Sequence, residues 1–121
     1  MSGFYSEIEK DTLENENFRK VLFTGEFSQL VLMTLQPGED IGAEVHTGHD
    51  QFFRFESGVG LVEIDDDKFE VKDGDAVVVP SGANHNVTNT SETELLKLYT
   101  IYSPAEHPDG TVHETKAIAE S

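Results

Sequence analysis

Apolar and polar positions alternate along most of the chain from Phe18 onward, in short segments separated by turn residues. Such alternation places apolar side chains on one face of a β-strand, and glycine, proline and aspartate end strands. The pattern predicts strands at residues 20–23, 27–35, 41–46, 51–56, 60–64, 68–71, 76–79 and 95–102, with one more beginning near His85. Short strands at this regular spacing indicate an all-β antiparallel sandwich or barrel.

The two ends of the chain are more polar than the centre. We predict an N-terminal arm over residues 1–17, the barrel domain over 18–103, and a C-terminal tail over 104–121. The arm is compatible with one short helical turn or with an extended segment. The tail is too polar for the core, so we expect it to pack on the barrel or against a partner subunit of a homodimer.

Composition narrows the function classes. A chain of 121 residues fits one domain, and the absence of cysteine excludes disulfides and thiolate metal sites. The net charge of −16 disfavours binding to nucleic acid or anionic membranes. It fits either a solubilising surface or adaptation to a high-salt cytoplasm. Without a basic, apolar leader or a long apolar run, we expect a cytoplasmic protein.

A turn is predicted between Gly74 and Asn89, where the sequence reads GDAVVVPSGANHNVTN. A strand of β-branched residues runs into Pro80 and Gly82, which favour a tight turn because proline fixes φ and glycine accepts positive φ. The next strand carries His85 near its start. This arrangement holds one histidine in a fixed position, which suits a metal ligand.

A second segment, from Gly38 to Gly58, contains further candidate ligands. Glu44 and His46 are two residues apart and share a face if both lie on a strand. Gln51 begins the next predicted strand and could lie across from that pair. Cross-strand neighbours approach to about 5 Å, a separation that suits convergence on one ion.

Together these segments resemble the paired signature of the cupins, small jelly-roll or double-stranded β-helix barrels. The second motif, G-x5-P-x-G-x2-H-x3-N, is matched at every position, and the first is matched in spacing from Gly38 to Gly58. The resemblance covers about residues 27–102. The downstream sequence LKLYTIYSPAEHPDGTVH is similar to single-domain cupins often labelled mannose-6-phosphate-isomerase-like.

The resemblance implies a metal site at Glu44, His46, Gln51 and His85. Cupins usually place a histidine where this chain has Glu44 and a glutamate where it has Gln51. The remaining two-histidine, one-carboxylate set is typical of non-haem iron, although Fe, Mn, Ni, Co and Zn are all compatible. Gln51 is then a weak amide ligand or a hydrogen-bond partner of bound water. The alternative is a polar barrel mouth whose side chains hydrogen-bond one another.

The remaining histidines have weaker assignments. His49 is an alternative ligand or a solvated loop residue, with the loop role favoured. His107 and His113 could cap the barrel mouth, but surface or dimer contacts are favoured.

Three functions remain open from the sequence. The first is a metal-dependent oxidoreductase of dioxygenase type acting on a small oxygenated molecule. The second is a sugar-phosphate isomerase, which is disfavoured because Arg54 and Lys97 are the only basic residues in the central strands and Arg54 faces away from Gln51. The third is a small-molecule-binding protein without turnover.

Overall fold

A computed structural model describes residues 2–121 and contains ten strands and two short helices in that range. The helices are α1 (Ile8–Glu14) and α2 (Lys116–Ala119). The strands are β1 (Arg19–Thr24), β2 (Gln29–Leu35), β3 (Glu44–Val45), β4 (Asp50–Ser57), β5 (Val59–Ile64), β6 (Asp67–Lys72), β7 (Ala76–Val79), β8 (Asn84–Asn89), β9 (Leu96–Ser103) and β10 (Val112–His113). The predicted all-β jelly-roll fold is confirmed.

The strands form two antiparallel sheets with the apolar core between them. The larger sheet has the order β10-β1-β2-β9-β4-β7, and the smaller has the order β3-β8-β5-β6. Alternation along β4 and β9 turns every second side chain into the interior, as the sequence pattern predicts. The largest fully buried apolar side chains are Val31, Met33, Leu35, Phe53, Phe55, Val62, Val87, Leu96, Leu98 and Tyr102.

The N-terminal segment is helical and is fixed to the outer face of the larger sheet. The Lys97 ammonium, on β9, donates hydrogen bonds of 2.7 Å to the carbonyl oxygens of Leu13 and Asn15. At the other end of the chain, β10 pairs with β1, and Lys116 of α2 forms an ion pair with Asp40. Neither helix within residues 2–121 is long and apolar enough to cross a membrane.

The structure differs from the sequence prediction between residues 41 and 51. The predicted strand shortens to β3, and β3 pairs with β8 rather than with β4, so that Glu44 lies opposite His85. Gly42 and Gly48 have φ values of 109° and 85°, which end the extended backbone on either side of β3. The segment after β3 therefore crosses to the other sheet, so Gln51 lies on β4 of the larger sheet rather than beside Glu44.

Asn89, the last residue of β8, binds three backbone carbonyl groups from a position that is only 1% exposed. Its amide nitrogen donates to the carbonyl oxygens of Leu35, Gln36 and Glu94 at 2.8–3.1 Å, and its oxygen accepts from the Ser91 N–H. The asparagine at this motif position is thus a structural clamp.

We expect Asn89→Ala to lower the free energy of unfolding by about 2 kcal/mol, because buried carbonyl groups lose their donor. Urea denaturation measures the change. The control is Asn84→Ala on the same strand, whose exposed side chain makes no hydrogen bond among residues 2–121 and should change stability by less than about 0.5 kcal/mol. Equal losses in the two variants would contradict the clamp role.

Candidate metal centre

Glu44, His46 and His85 come together at one end of the barrel interior. Each offers one ligand atom, and these atoms all lie within 4.8 Å of one another, so the cluster could hold a metal ion. The Glu44 Oε2 and His46 Nε2 atoms are 2.6 Å apart, and the His46 and His85 ring centroids are 5.3 Å apart. His85 is 5% exposed, while the His46 side chain is 12% exposed. The three predicted ligands thus form one partly enclosed group.

Two polar atoms of the predicted ligands are buried without a hydrogen-bond partner. His46 Nε2 approaches Glu44 closely, but the two groups lack the alignment of a hydrogen bond, so the contact is one of proximity alone. Gln51 Oε1 is similarly unpartnered. Buried polar atoms normally find partners because leaving one unsatisfied costs about 1–3 kcal/mol. A cation among the carboxylate and the two imidazoles would satisfy His46 Nε2, so the three clustered residues fit a divalent ion.

An acceptor oxygen on the far side of each ring favours the tautomer that a metal requires. His85 Nδ1 lies 3.4 Å from the carbonyl oxygen of Ala83, and His46 Nδ1 lies 3.5 Å from a carboxylate oxygen of Glu106. A proton on each Nδ1 leaves the Nε2 lone pair free for an ion. Burial, more than any other effect, lowers the pKa of His85, which favours the neutral ligand form.

Gln51 lies on the inner face of β4, and its side chain is held in place from one side. Its Nε2 donates to Thr100 Oγ1 at 3.0 Å, and the Thr100 hydroxyl donates to the Phe52 carbonyl oxygen at 2.8 Å. This chain fixes the amide orientation and leaves Oε1 as the free acceptor. Direct ligation by Gln51 stays a prediction.

The C-terminal segment covers the histidine side of the cluster, a feature that the motifs did not indicate. The Glu106 carboxylate contacts His46 Nδ1 at 3.5 Å and His49 Nε2 at 3.4 Å. Gln29 anchors this segment. Its Oε1 accepts the N–H groups of Glu106 and His107 at 3.2 and 3.1 Å, and its Nε2 donates to the His107 carbonyl oxygen at 2.7 Å.

The other histidines contact the tail or the interior. His49 Nδ1 lies 2.9 Å from the Pro104 carbonyl oxygen, so His49 holds the tail and stands outside the ligand cluster. His107 Nε2 is 3.3 Å from the Tyr102 hydroxyl, and burial is the main cause that lowers its pKa to about 4. His113 Nδ1 is 3.2 Å from Arg19. The sequence favoured surface or dimer contacts for His107 and His113, whereas both side chains contact inward-facing residues of the same chain.

Glu106→Gln is expected to weaken divalent-metal affinity by about 10-fold, because the carboxylate that orients His46 Nδ1–H would be lost. Competition between the protein and a chromophoric chelator for Co²⁺ measures this affinity. Glu114→Gln, also in the tail and remote from these contacts among residues 2–121, is the control for the change in net charge. Wild-type affinity in Glu106→Gln would remove Glu106 from the support of the site.

Known proteins resemble this chain along most of its length. The family profile described as "Cupin domain" matches residues 31–102. The uncharacterized protein YrkC of Bacillus subtilis (strain 168) is 50% identical over 96% of this chain and 65% of its own length. The uncharacterized protein L612 of Acanthamoeba polyphaga mimivirus is 43% identical over 87% of this chain and 68% of its own. This chain therefore spans about two thirds of the length of these curated relatives.

Among solved structures, BH2720 from Bacillus halodurans is similar throughout. It is 48% identical, superposes with a TM-score of 0.95, and the match covers 98% of this chain and 94% of that one.

Proposed function

This chain belongs to the cupin domain family, and we propose that it is a metal-dependent oxidoreductase of dioxygenase type acting on a small oxygenated organic molecule. Glu44, His46 and His85 would hold one divalent transition ion, with Gln51 as a weak fourth partner. The observation that carries the proposal is the buried, unpartnered Nε2 of His46 inside a two-histidine, one-carboxylate cluster. Such a donor set leaves coordination positions open and is typical of non-haem iron.

When bound, an ion at this site would supply Lewis acidity and oxygen activation. The chain's own residues would bind and orient the organic substrate. Gln51 Oε1 offers an acceptor fixed by Thr100. Tyr102, the cross-strand partner of Gln51, offers a hydroxyl whose pKa burial raises well above its usual value, so the phenol keeps its proton and can donate it in a hydrogen bond. The tail segment around Glu106 limits access of water from one side.

The two alternatives have less support at this site. A sugar-phosphate isomerase needs more than one cation in the pocket, because a phosphate dianion carries two negative charges. Arg54 pairs with Glu56 at 2.8 Å and Lys97 is bonded to the N-terminal segment, so both are held on the outer face. The buried Arg19 supplies only one positive charge. A binding protein without turnover would use the same residues, and the oxygen assay below separates it from an enzyme. The homodimer and the cytoplasmic location stay predictions.

Oxygen consumption tests the enzymatic proposal. Metal-free protein is reloaded with Fe²⁺, Mn²⁺, Ni²⁺, Co²⁺ or Zn²⁺ and mixed with a panel of small enols, diketones and 2-oxo acids. We expect substrate-dependent oxygen uptake with at least one redox-active ion and none with Zn²⁺. Stoichiometric metal binding without uptake on any substrate would favour the binding protein. Turnover of hexose phosphates would favour the isomerase.

Glu44→Gln tests whether the Glu44 carboxylate, which stands where cupins usually have a histidine, is a metal ligand. Removing its charge while keeping its shape should weaken Co²⁺ affinity by about 10-fold or more. Glu70→Gln, on exposed β6, removes one charge away from the cluster and should leave the affinity unchanged. Chelator competition measures both variants. Unchanged affinity in Glu44→Gln would remove Glu44 from the ligand set.

A further inference from the structure

Arg19 is a buried cation that has no carboxylate partner. The residue is 7% exposed, and its Nε is buried without a hydrogen bond. Its guanidinium lies against His113 Nδ1, 3.2 Å from Nη1, and against the Phe18 ring, whose centroid is 5.2 Å from the guanidinium carbon. No carboxylate among residues 2–121 forms a salt bridge with it, although the chain has 24 acidic residues. A buried, unpaired charge is costly, so its presence calls for an explanation.

The strand register places Arg19 on the inner face of the larger sheet. Arg19 pairs directly with Met33, which is fully buried in the core, and the next inward residue, Val21, pairs with Val31. The three other basic residues of this sheet do not face inward: Lys20 is exposed, and Arg54 and Lys97 lie on the outer face. Within the described strands of the larger sheet, Arg19 is therefore the single inward cation.

A row of rings extends from the proposed metal site into the barrel interior. The Tyr102 ring lies 5.9 Å from the His46 ring and 5.2 Å from the His107 ring, centroid to centroid. After burial, the positive charge of Arg19 is the next cause that lowers the pKa of His107, and it also acts on Tyr102. Arg19 and Glu44 thus both influence Tyr102 from the same interior.

We propose that Arg19 is the anchor for the carboxylate group of a small organic ligand whose other polar end faces the Glu44, His46 and His85 cluster. A guanidinium fork matches a carboxylate with two parallel N–H···O hydrogen bonds. The ligand carboxylate would replace the single contact with His113, which lies on β10, a two-residue strand at the sheet edge. This inference gives the substrate class of the proposed function as a small organic carboxylate. It rests on the proposed function only for the end of the ligand that faces the metal.

A carboxylate fits this interior better than a phosphate. One guanidinium balances one negative charge, whereas a phosphate dianion needs further cations. His107 is neutral above its pKa of about 4, and Glu44 and Glu106 lie at the same end of the barrel interior. The net charge of −16 adds to the repulsion of a second negative charge.

Binding to metal-free protein tests the anchor without interference from the ion. Protein stripped with a chelator and labelled with ¹⁵N-arginine is titrated with acetate, with its neutral analogue acetamide, and with inorganic phosphate. The shift of the Arg19 Nε–H signal and calorimetry report binding. We expect acetate to shift that signal and to bind at least about 10-fold more tightly than acetamide, since hydrogen bonds to charged groups contribute about 1.5–3 kcal/mol.

Arg19→Met should weaken acetate binding by about 10-fold or more, and the matched Arg54→Met, on the outer face, should not. Arg19→Lys keeps the charge but loses the fork, so it should weaken binding to a smaller extent and serves if Arg19→Met does not fold. Equal acetate affinity in wild type and both Arg19 variants would overturn the proposal. So would acetamide binding as tightly as acetate, and phosphate binding more tightly than acetate would overturn the carboxylate assignment.

A separate Co²⁺ titration of the same wild-type sample distinguishes failure of the Arg19 anchor from failure of the proposed metal function. Acetate binding that depends on Arg19, together with no Co²⁺ binding, would leave the anchor standing and remove the proposed metal function. Tight Co²⁺ binding with no dependence of acetate binding on Arg19 would overturn the anchor and leave the proposed metal function standing.

Discussion

His85→Ala is expected to weaken divalent-metal affinity by more than about 100-fold, the largest functional effect of any single change in this chain. Losing a group that only supports a ligand costs about 10- to 100-fold, so losing a ligand itself should cost more. His85 is 5% exposed and is held by β8 opposite Glu44, so no other histidine can take its position without moving the backbone. Chelator competition with Co²⁺ measures the affinity.

The control for His85→Ala must disturb the same strand without touching a ligand. Val87→Ala serves, because Val87 lies two residues further along β8 on the same inward face and is fully buried. It should lower the free energy of unfolding by about 1–3 kcal/mol through the cavity it creates and should leave metal affinity unchanged. If both variants lost metal to the same extent, the effect of His85→Ala would be one of folding rather than ligation.

Gly58→Ala is expected to give the largest loss of stability, about 4 kcal/mol or complete failure to fold. Gly58 has a φ of 97°, and a Cβ placed there would lie 2.4 Å from the Leu95 carbonyl oxygen and 3.0 Å from the Leu96 Cα. The clash is with backbone, which cannot move aside as a flexible side chain can. The cost therefore combines backbone strain with overpacking.

Gly74→Ala separates the two parts of that cost. Its φ of 89° is similar, but nothing lies within 4 Å of the added Cβ, so only the strain of the left-handed backbone remains. We expect a loss of about 1–2 kcal/mol. Urea denaturation of both variants is the measurement, and equal losses would show that the close approach to Leu95 and Leu96 does not constrain the barrel.

The sequence predicted those features of the site that depend only on neighbouring residues, such as the turn before β8. Pro80 and Gly82 end β7 and lead into β8, and His85 then faces the interior as alternation requires. Alternation assigns a residue to a face but does not choose the strand beside it. The pairing of Glu44 with His85 joins residues 41 positions apart and depends on where Gly42 and Gly48 turn the chain. The predicted partner of β3 was wrong for that reason.

Arg19 and Glu106 were missed because both lie outside the paired motifs. Polarity shows that a segment does not fill the apolar core, yet a binding site also needs polar walls, so a polar tail can face inward. Arg19 lies one residue before the strand predicted at residues 20–23, whereas β1 begins at Arg19 and turns its side chain inward together with Val21. The inward position of Arg19 therefore depends on where β1 begins, and the position of Glu106 depends on Gln29, a contact across 77 residues.

Anomalous diffraction from crystals of Co²⁺-loaded protein is the most direct test of the proposed metal centre. Data collected on both sides of the cobalt absorption edge locate the ion independently of the protein atoms. We predict one strong anomalous peak per chain, bonded to the imidazole nitrogens of His46 and His85 and to the carboxylate of Glu44. A peak elsewhere on the protein, or no peak within bonding distance of these three side chains, would contradict the account.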